Sequence, residues 1–141
     1  MSDQNLPPYC ENFLARKRYP TRLVNIGNLT LGGDAPIRVQ SMTTTDTMDT
    51  EGSVNQSKRM IDVGCEIVRL TAPSKKEAEN LREIKRELRA QGYDAPLVAD
   101  IHFTPNAAEI AARIIEKVRV NPGNYADKKK FEEIEYTEES Y

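Results

Sequence analysis

An α/β fold built on a parallel sheet is what this sequence predicts, and three features point to it. Short apolar runs at residues 37–42, 66–71, 97–103 and 117–121 alternate with longer segments of helical periodicity. Strands separated by helices at intervals of roughly 20–30 residues make right-handed βαβ units. The strands are also apolar on one face only: Arg69 and Thr71 alternate with Val68 and Leu70, and Arg119 and Asn121 with Val118 and Val120. An open sheet covered on both sides would be apolar on both faces. One polar face suits a TIM-type (β/α) barrel, whose lumen opens at the C-terminal ends of its strands. A complete barrel takes eight strands and about 250 residues, so the expectation is half of one, about four strands.

Residues 1–20 are polar and broken by Pro7, Pro8 and Pro20, which predicts a flexible arm. Its cluster Arg16-Lys17-Arg18 reads as a solvated tail more readily than as a phosphate patch. Residues 21–141 are expected to form one unit, beginning with a hairpin over 22–33. There, two short apolar runs flank Gly27-Asn28, and Gly32-Gly33 closes the pair. A hairpin this small cannot stand alone, so it is expected to plug one end of the half-barrel.

The first strand (37–42) ends in Gln-Ser-Met and leads into a hydroxyl-rich loop over 43–50. A helix from about Glu51 to Val63 turns Val54, Met60 and Ile61 inward and stops at Gly64. After the second strand, Ser74-Lys75-Lys76-Glu77 is a capping box, predicting that Ser74 and Glu77 serve each other's backbone N–H groups. Its helix carries Ala78, Leu81, Ile84 and Leu88 at helical spacing and stops at Gly92. The third strand is LVADIHF. Thr104 is the predicted N-cap and Pro105 the first residue of a third helix, with Ala108, Ala111 and Ile115 on its apolar face. A charged helix is expected after Asp127, with Phe131 and Ile134 as its apolar anchors.

Composition narrows the function. Lys and Arg number 20 against 22 Asp and Glu, a net charge of −2, so no global field recruits nucleic acid. Mean hydropathy is −0.64, and no apolar run approaches the ~18 residues of a membrane span. The start lacks a basic-then-apolar signal pattern. Cys10 and Cys65 make no metal-ligand spacing, and Cys65 reads as a small buried hydrophobe. A cytoplasmic protein without a metal site of its own is expected.

Within LVADIHF, Asp100 and His102 share a strand face with Val98, so a carboxylate and the only imidazole emerge together at a strand's C-terminal end. Arg69, Arg119 and Asn121 converge there from neighbouring strands. Asn121-Pro122-Gly123-Asn124 is placed for a type II turn that offers backbone N–H groups to an anion. Two arginines suit bidentate binding of phosphate oxygens. A second reading stands beside that one: Arg69 and Arg119 pair with Asp100 and Glu66 in a structural network.

Four stretches in order, VNIGNLTLGGDAPIRVQSMTTTDTMDT, GCEIVRLT, PLVADIHF and KVRVNPGN, closely resemble the N-terminal part of the 4-hydroxy-3-methylbut-2-enyl diphosphate synthase family. The segment from Arg89 onward looks like the family's longer form. The resemblance implies that the half is the N-terminal half of a TIM barrel that binds 2-C-methyl-D-erythritol 2,4-cyclodiphosphate. It also implies a separate domain with a 4Fe-4S cluster, an electron donor such as ferredoxin or flavodoxin, and reductive ring opening in the non-mevalonate isoprenoid pathway. Arg69, His102 and Arg119 match the residues that grip the diphosphate. Asp100, Asn121 and Asn124 stand in the same motifs, and Gln40, Ser41 and Thr43 are expected to line the pocket floor or hold its loops. The cluster's cysteines do not carry over, so the chain is expected to be an inactive fragment of an oxidoreductase and, with open sheet edges, a homo-oligomer. Two other readings are another phosphate-handling barrel, of pterin-binding synthase or aldolase type, and a non-catalytic binding or assembly module. The former would need a lysine late on a strand, and these four strands show none.

Overall fold

The computed structural model describes residues 14, 19–102 and 104–123. Most of the expected arm, Cys10, and the charged helix expected after Asp127 lie outside them. The hairpin is present: β1 (Val24–Ile26) pairs antiparallel with β2 (Leu29–Leu31), Ile26 opposite Leu29. Gly27 makes its turn at φ 57°, a left-handed conformation that glycine adopts without the Cβ penalty. A Cβ there would stand 3.2 Å from Glu116 Cγ and 3.3 Å from Pro96 Cγ. On the other side Arg38 Nε donates to Thr30 O at 3.2 Å. The hairpin therefore reaches from the lead-in of the first parallel strand to the lead-ins of the last two.

Four parallel strands come next, in the order β3 (Gln40–Met42), β4 (Ile67–Ala72), β5 (Leu97–Ile101) and β6 (Lys117–Arg119). The helices α1 (Thr50–Asp62), α2 (Lys75–Ala90) and α3 (Pro105–Ala112) connect them. A doubly wound sheet reverses its strand order at a switch point. This one advances steadily, as a barrel does.

All three helices pack on one sheet face. Val68, Leu70, Leu97 and Ala99 meet Leu81, Ile84, Leu88 and Ala111 there, all 0% exposed. Full burial stabilises each large aliphatic side chain by about 1.5–3 kcal/mol, so this face holds the fold together. Cys65 belongs to the same cluster, its thiol donating to Ile67 O at 3.0 Å.

Local chemistry departs from expectation in several places. The first strand is shorter than 37–42, because Glu66 takes over the pairing below it. Its carboxylate accepts the Val39 N–H at 2.9 Å, and the Val39 carbonyl accepts the N–H groups of Glu66 and Ile67. That backbone bond, and then the Arg38 guanidinium at 2.8 Å, hold the Glu66 carboxyl below its ordinary pKa. α1 starts one residue early because Asp49 caps it, accepting the Gly52 N–H at 2.9 Å. In the capping box, the Glu77 carboxylate accepts the Ser74 N–H as expected, whereas the Ser74 hydroxyl accepts the N–H of Lys76 and donates to the Glu77 carboxylate. Thr104 caps α3 by position only. Its hydroxyl is committed to Pro73 O at 3.1 Å, tying the end of β5 to the end of β4.

Candidate functional site

The face that the helices leave uncovered carries the chemistry. Parallel partners in register share a face, so Met42, Arg69, Val98 and Lys117 form one inner row. Thr71, Asp100 and Arg119 form the next row toward the C-terminal ends. The alternation read from the sequence thus sets Arg69, Asp100 and Arg119 on the inner side.

Asp100 is the hub. Only 2% exposed, it accepts Arg69 Nη2 on Oδ2 at 2.5 Å and Arg119 Nη1 on Oδ1 at 3.1 Å. His102 lies one residue beyond the end of β5 and brings Nε2 to 3.4 Å from the same Oδ2. Two guanidinium groups against one carboxylate leave one positive charge in excess. Arg119 is 41% exposed along its side chain, whereas Arg69 Nε is buried with no hydrogen-bond partner among the described residues. A buried donor left unpaired costs about 1–3 kcal/mol.

Both readings of the arginines therefore meet in one place. They do pair with Asp100, and both guanidinium side chains remain partly exposed. Glu66 takes no part, being held by Arg38. Asp100 holds both guanidinium groups, one through each carboxylate oxygen.

The remaining candidates distribute unevenly. Asn121 lies two residues past β6, and its Oδ1 accepts the Gly123 N–H at 3.1 Å. That corrects the type II turn, because Gly123 lacks the positive φ that such a turn requires. The side chain closes the loop as an Asx turn and occupies the N–H that an anion would use. Asn124 lies outside the described residues. Gln40 is exposed on the inner face, in register with Ile67, whereas Ser41 pairs with Val68 and so stands on the helix side. Thr43 is buried, and its N–H donates to Arg69 O at 2.9 Å, which holds the loop to β4.

Sequence reasoning singled out the hydroxyl-rich loop but not the residues in it that form a wall. Thr44, Thr45, Asp46 and Thr47, with Thr71, Pro73 and Glu77, enclose a hollow of about 330 Å³ at the strands' C-terminal ends. α1 and α2 shape it: Gln56 Oε1 accepts the N–H groups of Thr44 and Thr45, and Asn80 donates to Thr47 O at 2.7 Å. The available signal was the polar inner side of α1, where Ser53 and Ser57 are fully buried one turn apart.

Among the described residues there is no group of His, Cys, Asp and Glu that could hold a metal ion, and no helix long and apolar enough to cross a membrane. The sequence contains two cysteines, fewer than the four thiolates that a 4Fe-4S cluster takes.

Comparison with known proteins gives a consistent picture. Residues 21–140 match the profile of the GcpE TIM-barrel domain. The chain is 60% identical over 119 residues to the 4-hydroxy-3-methylbut-2-en-1-yl diphosphate synthase (flavodoxin) of Phocaeicola vulgatus, covering 84% of this chain and 19% of that protein. The enzyme of the same name from Bacteroides thetaiotaomicron is 58% identical over 125 residues, 88% of this chain and 20% of its own length. That of Akkermansia muciniphila is 53% identical over 133 residues, 94% and 23% respectively. The chain thus spans about a fifth of the length of these curated relatives.

Proposed function

The chain belongs to the GcpE TIM-barrel family, and from that membership we propose that it supplies the diphosphate-binding wall of a 4-hydroxy-3-methylbut-2-en-1-yl diphosphate synthase. The substrate is 2-C-methyl-D-erythritol 2,4-cyclodiphosphate, the reaction its reductive ring opening in isoprenoid biosynthesis, the setting the cytoplasm, and the electron donor flavodoxin, as in the names of the relatives. Two arginines converging on one buried aspartate carry this reading. Asp100 fixes the guanidinium planes, and the excess positive charge draws the diphosphate to the strands' C-terminal ends. Arg69 and Arg119 donate their remaining N–H groups to phosphate oxygens as charge-assisted bonds. His102 adds a polar ring nitrogen beside them.

A 4Fe-4S cluster, which would deliver electrons to the ring, does not fit the residues present, so no step through it is assigned to this chain. Its role is to bind and orient the substrate.

Isothermal titration of the 141-residue chain with the cyclic diphosphate and with inorganic phosphate tests the binding role. Saturable binding of the cyclic diphosphate, tighter than that of phosphate, is expected, and no binding of either would overturn the assignment. Anaerobic turnover with reduced flavodoxin, assayed on a polypeptide of the relatives' length that carries these residues, tests the reaction.

A further inference from the structure

We propose, resting on the diphosphate reading of Arg69 and Arg119 above, that the threonine-walled hollow seats the hydroxylated carbon part of the substrate, with the Thr71 hydroxyl as its contact. Thr71 joins the two places. It lines the hollow of about 330 Å³ together with Thr44, Thr45, Asp46, Thr47 and Glu77. It is also in register with Asp100, which pairs in turn with Arg119. Adjacent strands run about 4.8 Å apart, so the hollow borders the row that carries Asp100 and Arg119.

The other hydroxyls of this wall are spent on holding it. Thr45 Oγ1 lies 3.0 Å from Ser53 Oγ, Thr44 Oγ1 accepts Gln56 Nε2 at 3.0 Å, and Thr47 Oγ1 donates to Thr71 O at 2.6 Å. The Thr71 hydroxyl makes no hydrogen bond among the described residues. Thr71 thus braces the loop through its backbone carbonyl and has its side chain to spare.

Charge decides what enters. Asp46 and Glu77 set two carboxylates on the hollow, and no basic side chain is among its described lining residues. The hydrogen bond from the Ser74 hydroxyl holds the Glu77 carboxyl below its ordinary pKa, so it is ionised at neutral pH. A phosphate group there would face like charge without a counter-ion, which is unfavourable. An alcohol fits, because its oxygen accepts from the Thr71 hydroxyl while its proton goes to a carboxylate. The cyclic diphosphate carries both kinds of group: anionic oxygens for the arginines and free hydroxyls on its carbon chain. Pyrophosphate offers the arginines the same anionic oxygens and nothing for Thr71.

Titration calorimetry of the 141-residue chain with these two ligands is the test, in the wild type, Thr71→Val and Thr71→Ser. Valine suits a strand and leaves the carbonyl that Thr47 bonds in place. It is expected to weaken the cyclic diphosphate about fivefold, as loss of one neutral hydrogen bond does, and to leave pyrophosphate within about twofold of wild type. Serine keeps the hydroxyl and is expected to bind both ligands as the wild type does. A divalent cation is the competing occupant of two carboxylates, so the titrations run in magnesium and in EDTA, and the selective loss is expected in both. With both ligands bound by the wild type, an equal loss for both in Thr71→Val, no loss for either, serine as weak as valine, or a loss seen only with magnesium would each overturn the proposal and leave the diphosphate reading standing. A wild type that binds neither ligand would overturn both.

Discussion

Two carboxylates anchor this half-barrel, one near each end of the strands, and each draws two basic side chains. At the foot, Glu116 accepts Lys85 Nζ at 2.8 Å, Arg89 Nη2 at 3.2 Å and the Leu97 N–H at 2.9 Å. At the mouth, Asp100 accepts Arg69 and Arg119. The charges are alike, but the donors left over are not. Arg89 also donates to the carbonyls of Tyr93 and Ala95, and Lys85 to that of Ile114, so the foot cations spend their hydrogen bonds on loops. The mouth retains a buried Arg69 Nε without a partner among the described residues and a half-exposed Arg119. A saturated ion cluster is a brace. The same ions with donors to spare are the cluster proposed above to take the diphosphate.

The largest effect that would sharpen this contrast is expected from Asp100→Ala. It leaves two guanidinium groups packed together without their counter-ion, and loss of one member of a buried pair costs about 3–5 kcal/mol. Because both arginines reach solvent, the expected loss is about 3 kcal/mol, read by urea unfolding. Added phosphate should restore part of it by standing in for the carboxylate. A loss that phosphate leaves unchanged would mean that the mouth is a brace like the foot.

Arg119→Ala comes next and acts on the ligand more than on the fold. A charge-assisted bond is worth about 1.5–3 kcal/mol, so affinity for the cyclic diphosphate should fall by one to two decades in titration calorimetry. Unfolding should change little, because the side chain is 41% exposed. Unchanged affinity would return Arg119 to a structural role.

Glu116→Gln is the smallest of the three, at about 1–2 kcal/mol for weakened partners, and its pH dependence is the sharper readout. Burial pushes the Glu116 pKa up, but the hydrogen bonds from Lys85 and the Leu97 N–H outweigh it and leave the pKa lowered. With the folded value below the unfolded one, about 4.3, the stabilisation is complete above that pH. It is lost as pH falls through the folded value. Urea midpoints of wild type and variant should therefore differ at neutral pH and converge in acid. Phosphate should not narrow the neutral-pH gap, in contrast to Asp100→Ala.

How much of the molecule is legible in its sequence depends on range. The period of apolar residues, the Gly27 turn and the Pro105 start are local features, and the sequence alone determined the hairpin, the three helices, the strand alternation and the inner placement of Arg69, Asp100 and Arg119. Motif resemblance then singled out the same residues as a diphosphate site. Only the tertiary structure decided which charge meets which. Glu66 belongs to Arg38, Asp100 serves both arginines, and Glu116 gathers Lys85, Arg89 and Leu97. Those pairings depend on strand register and on the lean of helices against the sheet, so side chains 19 to 31 residues apart come within about 3 Å. Spacing along the chain does not encode such distances. The same holds at the borders, where Glu66 cuts β3 short and the Asn121 side chain closes a turn that composition alone had read as open to an anion.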